Sequence, residues 1–208
     1  MRLSVSILNS KDKINMIKTL NNTKISYIHI DVMDGLFVSQ KSLPSDEIIK
    51  LSPFSSKSLD IHLMVENPMY YIERIKELPN IDNITIHLEI NKDIKNILNK
   101  IKEYGFKRSL AIKPNTDINL LVPYLDIIDR ILIMTVEPGL GGQPFLENSP
   151  NRIKEIKKLI KDKNIELEVD GGINNQTINK VKDVDISVVG SYITTSDNPA
   201  QRINDLLV

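Results

Sequence analysis

The sequence has three histidines and no cysteine in 208 residues. Each histidine, His29, His62 and His87, falls in or at the end of a short β-branched run. Carboxylates sit two residues away, in His29-Ile30-Asp31 and Asp60-Ile61-His62, and a third run ends Glu168-Val169-Asp170. Residues two apart in a strand share one face, so each pair projects to the same side. A lone His-x-Asp is often just a hydrogen-bonded core pair. The coincidence of His29, Asp31, His62 and Asp170 favours one divalent ion held through nitrogen and oxygen: Zn²⁺, Mn²⁺, Fe²⁺ or Co²⁺. His87 fits either as support for a ligand or as a satisfied core residue. A proton on carbon beside a carbonyl is too weakly acidic for a bare carboxylate at neutral pH, and a bound ion that polarises the carbonyl removes that obstacle. Two carboxylates at opposite edges of such a substrate could take the proton from one face and return it to the other, which is epimerisation.

Glycines supply a second constellation. Gly171-Gly172 directly follows Asp170, and Gly190-Ser191 closes the last β-branched run. Both are places where barrels build a phosphate site from backbone N–H groups. A third loop, Pro138-Gly139-Leu140-Gly141-Gly142-Gln143, could close over a substrate. Any one Gly-Gly is more often a simple turn, and it is three such loops at consecutive strand ends that point to a ligand. Met33, Met64 and Met134 stand at or just past strand ends, either as core filler or as an apolar, polarizable wall to the pocket.

These residues need a scaffold that brings strand ends together. Eight strand candidates recur: 3–8, 27–31, 58–64, 83–87, 108–112, 130–134, 166–170 and 186–190. Each is followed by a stretch of helical period, as in Asn91 to Tyr104, where Ile94, Ile97, Leu98 and Ile101 fall on one face. Eight β-then-α units predict a single (β/α)8 TIM barrel over residues 1–208, with active-site residues at the C-terminal strand ends. An open doubly wound sheet would want a glycine-rich turn after the first strand, and Leu8-Asn9-Ser10-Lys11 is not one.

Composition narrows the partners. Lys+Arg and Asp+Glu both number 27, so there is no global positive field, and neither nucleic acid nor an anionic membrane is expected as partner. Without cysteine there is no disulfide scaffold or thiolate nucleophile. The opening MRLSVSILNS carries neither a long apolar run nor a small-residue cleavage site, so no signal peptide is expected and a cytoplasmic location fits.

The segments Ser4 to Leu8, His29 to Gly35, Asp60 to Val65, Met134 to Gln143, Val169 to Ile173 and Val189 to Ser191 together closely resemble the ribulose-phosphate 3-epimerase family, in order along nearly the whole chain. The resemblance implies a barrel of the ribulose-phosphate-binding type and an isomerase of the pentose phosphate pathway. Such an enzyme interconverts D-ribulose 5-phosphate and D-xylulose 5-phosphate with one divalent ion per site. It implies His29, Asp31, His62 and Asp170 as metal ligands, with Asp31 as proton acceptor and Asp170 as donor. It further implies substrate contacts from Ser6 and His62, a covering loop of Gly139, Leu140, Gly141 and Gly142, and phosphate contacts from Gly171, Gly172, Gly190 and Ser191. Met33, Met64 and Met134 match the family's thioether wall. A homo-oligomer is expected by the same resemblance. The sequence departs from the family at Ser39 to Leu43, where Pro-Asn and a later Gly are usual, and at Leu140, where Phe is usual. Both departures bear on sugar length, so a 3-epimerase of a hexulose 6-phosphate such as D-allulose 6-phosphate is the alternative. An aldolase-type lyase on a similar barrel, such as a hexulose-phosphate synthase, would need a different pattern of acidic and lysine residues at the strand ends. Lys113 is the one well-placed candidate, and it reads as a solvated loop residue. A metal-stabilised binding protein without turnover would have no use for glycine phosphate loops.

Overall fold

The protein is described by a computed structural model covering residues 1–207. Its strands are β1 (Arg2–Ser6), β2 (Tyr27–Asp34), β3 (Lys41–Ser42), β4 (Ser58–Met64), β5 (Ile81–His87), β6 (Lys107–Ile112), β7 (Arg130–Met134), β8 (Glu166–Asp170) and β9 (Ile186–Val189). All but β3 pair in parallel around a ring, and β1 closes it by pairing with both β2 and β9. This is the closed eight-stranded barrel that the alternation of strand and helix predicts, and all eight expected strands are present.

The exceptions lie in the connections. β3 is an additional two-residue strand, antiparallel to β2, with Met33 opposite Ser42 and Asp34 opposite Lys41. It occupies the segment that departs from the family pattern, and Gly35, at φ +79°, makes the reversal. The outer layer holds α1 (Lys13–Asn21), α2 (Ser45–Leu51), α3 (Pro68–Ile75), α4 (Ile94–Glu103), α5 (Ser149–Leu159), α6 (Ser191–Thr194) and α7 (Pro199–Leu206). After β6 and β8 the expected α-helices are replaced by short 3-10 turns at Ile118–Tyr124 and Ile178–Lys180. Pro123 lies inside the first and cannot donate to an α-helical ladder. In the second, Asn174 Oδ1 accepts from the N–H groups of Gln176 and Thr177, a local turn that competes with helix.

Strand alternation splits the sheet into two unlike faces. Leu3, Val5, Ile28, Ile30, Ile61, Leu63, Ile84, Ile86, Ile131, Ile133 and Val169 are buried in the main apolar cluster, which they share with residues of the surrounding helices. Their alternating neighbours are polar yet buried: Ser4, Ser6, His29, Asp31, Asp60, His62, Asn83, Thr85, His87, Arg130 and Glu168. The main hydrophobic core is therefore the shell between strands and helices, and the barrel interior holds a polar column beside a smaller apolar cluster of Ala111, Leu132, Met134, Val136 and Val188. Among the described residues no helix is long and apolar enough to cross a membrane.

Helix α4 shows how the shell is anchored. Asp93 accepts from the Asn96 N–H as N-cap, and Ile94, Ile97, Leu98 and Ile101 are all buried, the face expected from the sequence. Asp93→Ala is expected to cost about 1 kcal/mol of unfolding free energy in urea titration, with no change in the strand pairing of β5.

Candidate active site

The polar column ends in a convergence of side chains from β2, β4 and β8. One ligand atom each from His29, Asp31, His62 and Asp170 lies within 4.8 Å of all the others. Asp31 Oδ1 is 3.4 Å from both His29 Nε2 and His62 Nδ1. Asp170 Oδ2 is 3.9 Å and 3.7 Å from the same two nitrogens. Register explains the meeting: Asp31 pairs with His62 across β2 and β4. Asp170 arrives from β8, three strand positions away around the ring, so the two carboxylates enter from different sides of the mouth.

The second nitrogen of each imidazole is occupied. His29 Nδ1 lies 2.8 Å from Asp60 Oδ2, which fixes that nitrogen as the protonated one. His62 Nε2 is 2.9 Å from His87 Nε2, and His87 Nδ1 is 3.0 Å from Glu89 Oε2. With Glu89 accepting from His87 Nδ1–H, His87 Nε2 is left to accept from His62 Nε2–H. The result is that His29 Nε2 and His62 Nδ1 both face the carboxylates as lone pairs, buried and without a hydrogen-bond partner. Orphaned buried nitrogens beside two carboxylate oxygens are the donor set of an N/O metal site, and these residues fit a divalent ion. His87 is buried and bonded to both His62 and Glu89, which fits either of its two roles.

Electrostatics point the same way. Burial works to raise the Asp31 carboxyl, but the charge and hydrogen bonding of His29 outweigh it and hold Asp31 well below the usual carboxylate range. Burial works against a charge on His29, and Asp31 and Asp60 reverse that effect, so the imidazole is held well above its ordinary value. In both cases the pocket favours a positive charge between its carboxylates. His87 behaves oppositely: burial pushes it down to about 4, which keeps it neutral and able to accept from His62.

Above this centre lies a cavity of about 340 Å³. Ser6, Asp31, Met33, Met64, Met134, Asp170, Gly171, Gly172, Gly190 and Ser191 line it, as does the whole loop Gly139, Leu140, Gly141 and Gly142. Ser6 Oγ also donates to Asp31 Oδ2 at 2.6 Å, leaving Oδ1 toward the centre. His29 and His62 are wholly buried and do not line the cavity. Met33 and Met64 pack with Val38 in one small apolar cluster, and Met134 with Ala111, Leu132, Val136 and Val188 in another, so thioethers flank the polar centre on two sides.

Close contacts surround the glycines of the cavity rim. A Cβ at Gly172, which has φ +68°, would lie 2.5 Å from the Phe145 backbone nitrogen. One at Gly141 would lie 2.4 Å from Asn9 Nδ2. The covering loop thus rests on Asn9, which also donates to Ser191 Oγ at 2.9 Å. Leu140, on the same loop, is 58% exposed, so its side chain does not plug the cavity.

Sequence reasoning passed over Asn9, Glu89 and Arg130, and placed Asp60 on the face of His62 without giving it a role. Asp60 carried a signal, since it shares a strand face with His62, and Glu89 follows His87 by two. Arg130 opens the run Arg130-Ile131-Leu132-Ile133-Met134, where a charge at a strand start reads as solvent-exposed; it is in fact fully buried. Lys113 is half-buried with its Nζ 4.1 Å from the Phe37 ring centroid, so it is not a freely solvated loop residue.

Comparison with known proteins shows the family and the fold. Residues 2–194 match the model of the Ribulose-phosphate 3 epimerase family. The ribulose-phosphate 3-epimerase of Chlamydia pneumoniae is 34% identical over 197 residues, 92% of this chain and 86% of that protein. The enzyme of the same name from Helicobacter pylori strain J99 is 33% identical over 211 residues, covering 99% and 96%. Among solved structures, 3-hexulose-6-phosphate synthase from Salmonella typhimurium superposes with a TM-score of 0.67 at 16% identity, over 99% of this chain and 96% of that one. A tryptophan synthase chain from Mycobacterium tuberculosis gives 0.72 at 12%, over 99% and 90%. At such identities these two share the fold alone.

Elemental analysis of the purified protein is expected to find one divalent ion per chain. His62→Ala should weaken its binding by more than the roughly 10- to 100-fold that loss of an outer partner costs, read by competition with a chromophoric chelator.

Proposed function

Because the chain belongs to the ribulose-phosphate 3-epimerase family, we propose that it interconverts D-ribulose 5-phosphate and D-xylulose 5-phosphate, with Asp31 and Asp170 carrying the proton at C3. The observation that supports these roles is the meeting of the two carboxylates, from strands three positions apart, against two unpartnered imidazole nitrogens buried beneath the cavity. His29, Asp31, His62 and Asp170 would hold the ion. When bound, the ion polarises the C2 carbonyl and stabilises the negative charge that grows as C3 loses its proton.

Asp31 is the acceptor for the ribulose epimer. It is held ionised, with Oδ1 turned to the ligand centre and Oδ2 engaged by Ser6 at the cavity, and takes the proton on its own side of C3. Asp170 delivers a proton to C3 from its own side of the mouth, and in the reverse direction the two exchange roles. The phosphate is taken by the backbone around Gly171, Gly172, Gly190 and Ser191, where glycine lets peptide N–H groups approach closely. The loop from Gly139 to Gly142 covers the sugar, and Met33, Met64 and Met134 set an apolar, polarizable wall that keeps water from the delocalised anion. The protein is read as cytoplasmic and as a homo-oligomer.

A longer hexulose 6-phosphate is not favoured, since the relatives compared carry the ribulose-phosphate 3-epimerase name. Purified protein should convert D-ribulose 5-phosphate to D-xylulose 5-phosphate in a coupled assay, lose that activity on chelation and regain it with added divalent ion. Asp170→Asn should lower turnover at least about 100-fold with an unchanged circular dichroism spectrum. Parent-like turnover in that variant contradicts the assignment of Asp170.

A further inference from the structure

Arg130 is a wholly buried cation for which proton transfer has no use. From the start of β7 its guanidinium reaches into the polar column, and its Nη1 lies 3.2 Å from both Asp60 Oδ1 and Glu168 Oε2. On the other side Nη2 is 3.0 Å from Glu166 Oε2 and 3.5 Å from Asp82 Oδ2. One fork therefore spans carboxylates of β4, β5 and β8. Asp60 is the residue that matters for the site, since its Oδ2 accepts from His29 Nδ1 and from Ser4 Oγ. Its Oδ1 accepts from Arg130 and from Asn83 Nδ2.

We propose that Arg130 is a positioning residue for the ion site, its fork fixing the Asp60 carboxylate so that His29 presents Nε2 to the other ligands. The proposal rests on the metal-centre reading above. Asn83 cannot do this alone, because its amide is shared with Thr85 Oγ1 at 2.9 Å. Glu168 makes the point sharper. Its Oε2 is held by Arg130 and its Oε1 has no partner. With the guanidinium removed, Asp60 Oδ1 and Glu168 Oε2 both lose the donor that ties them together, and the Asp60 carboxylate is free to turn away from His29. Lysine would not substitute, since a point charge cannot hold several carboxylates in fixed orientations as a planar fork does.

Charge and geometry predict opposite signs here. Judged by charge alone, a buried guanidinium below a cation site repels the ion, so its loss would tighten binding. Judged by geometry, its loss weakens binding. The experiment measures the Zn²⁺ dissociation constant of Arg130→Met by chelator competition, with the visible spectrum of the Co²⁺-loaded protein and the melting temperature of the metal-free form. The expected result is binding about 10-fold weaker, at the lower end for outer-shell partners, with a shifted Co²⁺ band in a protein that still folds. Arg130→Lys keeps the buried charge and guards against a folding failure of the methionine variant; it is expected to bind about 3-fold more weakly, as one donor head replaces a fork. Unchanged or tighter binding in the folded variants, even with a lowered melting temperature, overturns the proposal and leaves Arg130 a purely structural ion pair. A parent protein that takes up no ion overturns the metal reading and this proposal together.

Discussion

Polar side chains inside a closed barrel have to find their partners within it, because water does not reach the interior and an unpaired buried charge is costly. That constraint organises this protein. From the N-terminal end of the column upward, Glu166 and Asp82 face Arg130, Arg130 faces Asp60 and Glu168, and Asp60 faces His29. A parallel line runs from Glu89 through His87 to His62. Each line ends on an imidazole nitrogen with nothing opposite but carboxylate. At the site two such nitrogens face the same pair of carboxylates.

Burial opposes charge on both His29 and Asp31, and the carboxylates around His29 outweigh it, so the four side chains together favour a cation among them. Glu168, buried below and next to Asp60, is instead pushed up to about 8, and the attraction of Arg130 only partly offsets this. Two carboxyl groups within one column thus meet opposite fates through their neighbours, one ionised at the centre and one raised beneath it. The cavity above takes its shape from contacts of the covering loop, since Gly139 lies against Val38 and Gly141 against Asn9.

Much of this is written in the chain locally. Strand alternation placed His29 with Asp31, His62 with Asp60 and Asp170 with Glu168 on inward faces, because a period of two is a property of the backbone. The eight strands followed from β-branched runs, and the ligand set from their polar ends. What escaped depends on pairing across the barrel. Nothing local in Arg130-Ile131-Leu132-Ile133-Met134 says that its arginine turns inward to carboxylates from three other strands. The departure at Ser39 to Leu43 showed that the mouth differs from the family, but only the fold shows a β3 strand on β2 there. The missing helices after β6 and β8 were masked by apolar residues whose spacing suits a helix, with Pro123 as the overlooked signal.

The account stands on two carboxylates serving two faces of one carbon, and proton exchange in heavy water tests this most directly. In Asp170→Asn, NMR should show D-ribulose 5-phosphate losing its C3 hydrogen to solvent through Asp31 without becoming D-xylulose 5-phosphate, whereas D-xylulose 5-phosphate should keep its own. Exchange of both epimers at equal rates, or of the xylulose epimer alone, would contradict the division of labour between Asp31 and Asp170.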